Sequence, residues 1–284
     1  MKFVHNGLLT CPLDQHALQL DGDCLRCESG HAFDIGRQGY VNLLGAADKR
    51  SRDPGDDKEM VAARRNFLSD GHYQPIADRL TRLVEPLLSG DYVVVDAGCG
   101  EGYYLQQLAE QVAVSSACEP SIIGFDISKW AVQAATRRLA ATWLVASNRN
   151  IPLAASSVDC LLSLFGFPMF SSFHSVLKQG GRLLMVDAGP QHLVELRRVI
   201  YPEVRRSDST MLQQACAAGF LQGETSTLQF QTAPLSQRQI HQLLRMTPHL
   251  FRATREGKQR AARLDQFSVT VDVVFQWLHN SGDT

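Results

Sequence analysis

Residues 93–102, Val-Val-Val-Asp-Ala-Gly-Cys-Gly-Glu-Gly, constrain this chain more than any other stretch. A β-branched run closes on Asp96, and glycines follow at 98, 100 and 102 before helical periodicity starts at Tyr103. Glycine lets a backbone turn sharply and approach a ligand closely, and amides at a helix start are ready donors. The spacing therefore predicts a strand–turn–helix unit with a ligand against the turn. A dinucleotide fingerprint would need glycine at 103, where Tyr103 stands, so a nicotinamide dehydrogenase is disfavoured.

The pattern around this unit is a strand and helix alternation. Strands are expected at Tyr92–Val95, Ile122–Asp126, Trp143–Ala146, Val158–Leu164 and Leu183–Val186, with Gly180-Gly181 as the turn before the last. Helices are expected over Tyr103–Val114 and Lys129–Leu139, and upstream over 60–69 and 74–88, where Ile76, Leu80, Leu83 and Leu87 recur at helical spacing. Apolar strands of this length between amphipathic helices predict an α/β, Rossmann-like, doubly wound parallel sheet covered on both faces. Residues 190–284 carry helical pieces and one late strand at Ser268–Val274. No apolar run reaches the 18 residues of a membrane span, and Met1-Lys-Phe-Val-His lacks the apolar core of a secretory leader.

The first 44 residues read differently. They are turn-rich, with a strand and turn at Leu18–Asp23 and a second β-rich stretch at His31–Leu44. Of seven cysteines, Cys11, Cys24 and Cys27 crowd together with His31, while Cys99, Cys118, Cys160 and Cys216 stand singly, as packing residues do in a reducing, cytoplasmic compartment. Thiolates and an imidazole at this spacing suit a tetrahedral zinc site, which would stabilise a module too small for its own core. Cys11, Cys27 and His31 are the firm candidates. Cys24 is favoured as the fourth ligand because it makes a two-residue-spaced thiolate pair with Cys27, and Asp14 is the alternative. Residues 45–59 are polar, contain Pro54-Gly55, and read as a loop or linker.

The turn Asp96-x-Gly98-x-Gly100-x-Gly102 resembles motif I of the class I S-adenosylmethionine methyltransferases. That resemblance places the methionine moiety against the loop and gives Asp126, at the end of the second strand, the ribose hydroxyls. With the cysteine module in view, the chain resembles the bacterial 23S ribosomal RNA guanine-N1 methyltransferases of the Gram-negative branch. The residues that carry it are His31-Ala-Phe-Asp34, Gly39-Tyr-Val-Asn-Leu-Leu44, Lys49-Arg-Ser-Arg-Asp-Pro-Gly-Asp56, Gly71-His-Tyr-Gln-Pro75, Asp96–Tyr104, Gly189-Pro-Gln-His192 and Met246-Thr-Pro248. The resemblance implies a small zinc-ribbon-like module at 1–44 that helps recognise RNA, a linker and helix at 45–72, and a methyltransferase domain at 73–284. It further implies S-adenosylmethionine contacts at Tyr73, Gly100, Glu101 and His192, zinc held by Cys11, Cys27 and His31, methylation of a hairpin near the macrolide-binding region, and a homodimer as one way to form an RNA cleft. One departure stands out: the family's second knuckle cysteine falls on Asp14.

With a formal net charge of −1, RNA binding would rest on local patches. Candidates are Lys49, Arg50 and Arg52; Arg64 and Arg65; Arg197, Arg198, Arg205 and Arg206; and Arg252, Arg255, Lys258, Arg260 and Arg263. Phe165, Phe167 and Phe170, after the fourth strand, suit either base stacking or the core. Guanine N1 carries a proton at neutral pH, so transfer needs a base, for which Asp187 and Glu101 are the candidates. A tRNA or small-molecule methyltransferase, or a non-catalytic RNA-binding protein, are the competing readings; intact Asp96, Gly98, Gly100, Gly102 and Asp126 speak against the last.

Overall fold

The computed structural model describes residues 3–45, 53–88, 90–115, 120–202, 210–249 and 253–282. A three-stranded antiparallel sheet comes first: β1 (Gln19–Asp21), β2 (Cys24–Arg26) and β3 (Ala32–Asp34), in that spatial order. After the short β4 (Val41–Asn42) come helices α1 (Lys58–Ser69) and α2 (Gln74–Val84). The alternating region follows with β5 (Val93–Ala97), α3 (Tyr103–Ser115), β6 (Ser121–Asp126), α4 (Lys129–Ala135), β7 (Thr142–Val145), β8 (Val158–Leu164), α5 (Phe170–Val176) and β9 (Leu177–Ala188). The chain then runs through α6 (Val194–Ile200), α7 (Met211–Ala217), β10 (Phe220–Gln231), α8 (Gln237–Arg245), α9 (Arg255–Ala261) and β11 (Thr270–Asn280).

Eight strands form the main sheet in the order β10-β11-β9-β8-β5-β6-β7-β4. The strands from β9 across to β4 are parallel, and β11 inserts antiparallel between β9 and β10. The sheet is thus mixed and doubly wound around a central β5 whose five residues are all buried. Helix starts follow their sequence signals. Asp57 caps α1 by accepting from the amides of Glu59 and Met60, Pro75 stands in the first turn of α2, and Ser236 with Gln239 forms a capping box on α8.

Alternation along the strands divides the core in two. Val94, Cys160, Leu162, Leu184 and Val186 face a cluster that includes Phe67, Ile76, Leu80, Leu105, Val132 and Leu243 from the helices. Val93, Val95, Leu161, Leu183 and Met185 face the other side, where Phe173 and Ala215 pack beside Leu9, Leu18, Leu25 and Leu43. The N-terminal module therefore serves as part of the second covering layer, and it shares the sheet's core. Its attachment is also hydrogen-bonded: β4 pairs in parallel with β7, and Thr10 N–H donates to Pro152 O over 3.0 Å.

Three expectations change. Gly180-Gly181 is an irregularity inside the long β9, between the pairs Val158–Leu177 and Cys160–Arg182, where a turn before a shorter strand was expected. Helix α4 ends at Ala135, where the Thr136 hydroxyl donates to Gln133 O over 3.0 Å. The late strand runs through Asn280, and its partner β10 was not anticipated.

Candidate functional site

The glycine turn is tied to the neighbouring strand. Gly98 N–H and Cys99 N–H both donate to Phe125 O, at 2.9 and 3.0 Å, and Gly100 N–H donates to Asp126 Oδ2 at 3.0 Å. The other Asp126 oxygen accepts Ser128 N–H at 2.8 Å. Gly102 has φ +82, and a Cβ there would stand 3.0 Å from both Ala135 Cβ and the Trp143 ring, so close packing as well as backbone conformation requires glycine. Space outside Gly98 is open, with no atom within 4 Å of where a Cβ would lie.

Carboxylates surround this space. Asp96 is 2% exposed, its Oδ1 has no hydrogen-bond partner, and burial, assisted by Asp126, pushes its pKa up to about 8. Burial also raises Asp126, opposed by the amides of Ser128 and Gly100 and by Arg64. Glu101 is buried and ion-paired through one oxygen with Arg138 Nε, while its Oε1 is buried without a partner. Its pKa is raised by burial against the pull of Arg138. Orphaned buried carboxylate oxygens beside an open glycine cradle suit a polar ligand with hydroxyl and amino donors, which is the donor set of S-adenosylmethionine.

Tyr73 and His192, 119 positions apart, meet on the same side of the sheet with Tyr73 Oη 3.5 Å from His192 Nε2. Asp272 N–H donates to His192 Nδ1 at 3.3 Å, so the ring's own proton sits on Nε2 and points at Tyr73. Burial holds the imidazole down at about 4, neutral at physiological pH, and raises the Tyr73 phenol above its usual range. The His192 ring also lies 6.1 Å from that of Phe165. Asp187, near the end of β9, is half-buried, and burial pushes its carboxyl up to about 6.

Sequence reasoning missed the groups that hold these residues. Asp272 accepts Gln191 N–H at 2.8 Å, and its own carbonyl accepts Gly189 N–H at 2.8 Å. Arg64 pairs with Asp56 at 2.5 Å and donates to Met246 O at 3.2 Å. Residues 53–57, expected as part of a linker, are tied down: Ser128 Oγ donates to Asp56 O at 2.6 Å, and Lys129 Nζ pairs with Asp53 at 2.7 Å. These contacts join residues far apart in sequence, and neither period nor spacing carries them.

In the N-terminal module, Cys11, Asp14, Cys27 and His31 bring one donor atom each within 4.8 Å of one another. His31 Nδ1 lies 3.0 Å from Asp14 Oδ2, 3.4 Å from Cys27 Sγ and 3.5 Å from Cys11 Sγ, and Cys27 Sγ lies 3.5 Å from Asp14 Oδ2. Zinc bonds of the usual length put tetrahedral ligand atoms about 3.3–3.8 Å apart, so this donor set fits zinc. Cys24, expected as the fourth ligand, is not in the cluster. It stands at the start of β2 with its thiol against Asp21 O at 3.2 Å. Three residues of extended chain separate it from Cys27 by about 10 Å.

The aromatics and basic groups also divide. Phe170 is buried against Phe220 and belongs to the core, whereas Phe165 and Phe167 are exposed. Arg65, Arg198, Arg255, Lys258, Arg260 and Arg263 are exposed. Arg64 is engaged as described, and Arg197 donates to Pro190 O at 3.0 Å. Lys49, Arg50, Arg52, Arg205, Arg206 and Arg252 lie outside the described residues.

Comparison with known proteins matches both parts. Residues 9–52 match the family model of the RlmA N-terminal zinc ribbon, and residues 94–200 match that of a methyltransferase domain. YxjB of Bacillus subtilis, provisionally named a 23S rRNA (guanine-N1)-methyltransferase, is 29% identical over 96% of this chain and 97% of its own length. A 23S rRNA (guanine(748)-N1)-methyltransferase of Streptomyces fradiae is 34% identical over 66% of each chain. A malonyl-[acyl-carrier protein] O-methyltransferase of Coxiella burnetii is 33% identical over only 49% of each. The similarity to YxjB spans the zinc ribbon as well as the transfer domain, so the chain is built as these 23S rRNA (guanine-N1)-methyltransferases are, with an RlmA-type zinc ribbon ahead of a class I methyltransferase domain.

Proposed function

We propose that this protein transfers a methyl group from S-adenosylmethionine to N1 of a guanine in a 23S rRNA hairpin near the macrolide-binding region. The observation that carries the reading is the pairing, in a chain similar to YxjB over 97% of that protein's length, of the Gly100–Asp126 turn with the four-donor cluster of the ribbon. In this reading residues 1–44 recognise RNA, 45–72 connect, and 73–284 carry the transfer. No helix among the described residues is long and apolar enough to cross a membrane, and the reading places the protein with its substrate in the cytoplasm, with a homodimer forming the RNA cleft.

Bound S-adenosylmethionine supplies the methyl group as a sulfonium electrophile. Asp126 takes the ribose hydroxyls, since an ionised carboxylate can accept from both. The glycine turn from Gly98 to Gly102 admits the methionine end, with Asp96 beneath it and the free oxygen of Glu101 available to a donor. Tyr73 and His192 close the same end as a neutral, mutually hydrogen-bonded pair. Asp187 holds the proton released from guanine N1; a carboxylate raised to about 6 is ionised at neutral pH yet more basic than a solvated one. Zinc, held by Cys11, Asp14, Cys27 and His31, cross-links the ribbon and takes no part in the transfer.

A tRNA or small-molecule substrate is the second reading, and the half-chain similarity to the acyl-carrier methyltransferase favours only its non-RNA form. Incubation with deuteromethyl donor and either deproteinised 23S rRNA or bulk tRNA, followed by nucleoside mass spectrometry, separates the two. Labelled 1-methylguanosine from 23S rRNA is expected, and label in tRNA alone would favour the second reading. Failure to bind the donor in calorimetry would leave only a non-catalytic RNA-binding role.

A further inference from the structure

The loop that follows β8 contains both exposed phenylalanines of the described residues. Phe165 is 38% exposed and Phe167 is 83% exposed. The loop is held, not loose. Phe165 takes a left-handed conformation at φ +51, its N–H donates to Val186 O at 2.8 Å, and its ring borders His192. A non-glycine residue keeps such a conformation only where its surroundings enforce it. Phe167 O accepts Asn148 Nδ2 at 2.9 Å.

Asn148 begins a short turn that reaches the N-terminal module. Asn150 Nδ2 donates to Pro12 O at 3.0 Å, and its Oδ1 accepts Gln15 Nε2 at 3.2 Å. Between the two asparagines Arg149 is exposed, and on the module Leu13 is 63% exposed beside the donor cluster. One continuous surface thus runs from the cluster's loop through Arg149 to Phe167, ending at the mouth marked by Phe165 and His192. A single exposed aromatic is ordinary. An exposed aromatic on a fixed loop, next to a cation and at the mouth of a transfer site, has the composition of a stacking platform for unpaired bases.

We propose that Phe167 stacks an unpaired purine of the RNA substrate, and that Asn148 and Asn150 lock this platform to the module so that Leu13, Arg149 and Phe167 contact one RNA loop. The proposal rests on the methyl-transfer reading above and deepens it. Any base presented to the mouth beside His192 must leave its own stack, and a phenyl face replaces the lost stacking without demanding a sequence.

The test uses the full-length protein, 23S rRNA lacking the modification, and Phe167→Ala, a change at an exposed site that threatens neither core nor fold. KM for rRNA should rise by about tenfold, in the range that loss of one base–aromatic stack gives. Calorimetric affinity for S-adenosylmethionine should stay within twofold, and Phe167→Tyr should restore KM. Ultraviolet cross-linking of the unaltered protein to the rRNA should place a nucleotide adduct on the peptide containing Phe165 and Phe167. A KM for Phe167→Ala within twofold of the unaltered protein overturns the proposal wherever adducts form. If the unaltered protein transfers no methyl to rRNA, the functional reading falls and this proposal with it; transfer that is indifferent to Phe167 overturns this proposal alone.

Discussion

The amide of Gly100 donates to Oδ2 of Asp126 across 3.0 Å, so the glycine turn after β5 and the acidic end of β6 form one rigid unit. That bond orients the carboxylate whose second oxygen is held by Ser128 N–H, and it leaves the face of the turn at Gly98 open. The account of cofactor binding depends on this pair.

In the proposed reading, Asp126→Ala removes the ribose acceptor together with the anchor of the turn. Hydrogen bonds to a charged group contribute about 1.5–3 kcal/mol, so S-adenosylmethionine affinity should fall by roughly 10- to 150-fold in calorimetry. Asp126→Asn, which keeps an acceptor, should fall between. Unchanged affinity in the alanine variant would remove Asp126 from the site.

The ribbon makes a prediction about metal. Native mass spectrometry should find one zinc per chain in the unaltered protein and in Cys24→Ser, and none in Cys27→Ser. Asp14→Cys should keep zinc longer against a chelator, because thiolate is the softer ligand and the usual one in structural sites. Loss of zinc on removing Cys24 would reverse the ligand assignment.

Asp187 links rate and stability in opposite directions. Its folded pKa of about 6 lies above the ordinary aspartate value of about 3.9, so the folded state binds the extra proton between those limits. The stability this contributes is complete below about pH 4 and is lost as pH rises through about 6. Asp187→Asn should therefore stabilise the protein at pH 7.5 by about 1–3 kcal/mol in denaturant melts. The same change should lower kcat, at unchanged donor affinity, and abolish the rise in kcat across pH 6. An unchanged kcat would exclude Asp187 as the proton acceptor.

Gly55 tests whether the strap at Asp53–Asp57 is part of the site. Its φ is +81, and a Cβ there would lie 2.8 Å from Ile127 Cγ2 and 2.9 Å from Ser128 Cβ. Gly55→Ala should cost about 1–3 kcal/mol in thermal or denaturant unfolding and weaken donor binding, since the strap packs directly after Asp126. A change within about 0.5 kcal/mol, the range of ordinary surface substitutions, would show that the strap is not seated there.

Much of the fold could be read because its core strands are apolar runs bounded by punctuation. Val93–Val95 closes on Asp96 and three glycines, Ile122–Phe125 on Asp126, and Val158–Leu164 begins after a serine pair. Strand β10 escaped because it is an edge strand with one neighbour, and between Gln222 and Gln231 its inward face carries only Leu228 and Phe230 as apolar residues. Strand β4 is two residues long, and its place in the main sheet depends on β7, about a hundred residues away. Cys24 misled because a two-residue gap between cysteines does not say whether the chain between them turns or extends. The Asp53–Asp57 strap read as a linker because Pro54-Gly55 signals a turn whether or not that turn packs. The contacts of Asp272 and Arg64 with the site come from tertiary structure alone.

The central claim is methylation of one 23S rRNA guanine at N1, and the most direct test maps modified nucleosides in 23S rRNA from cells with and without this protein. Removal should erase a single 1-methylguanosine, which the unaltered gene restores and the Asp126→Ala form does not. Identical 23S rRNA maps in the presence and absence of the protein would contradict the account.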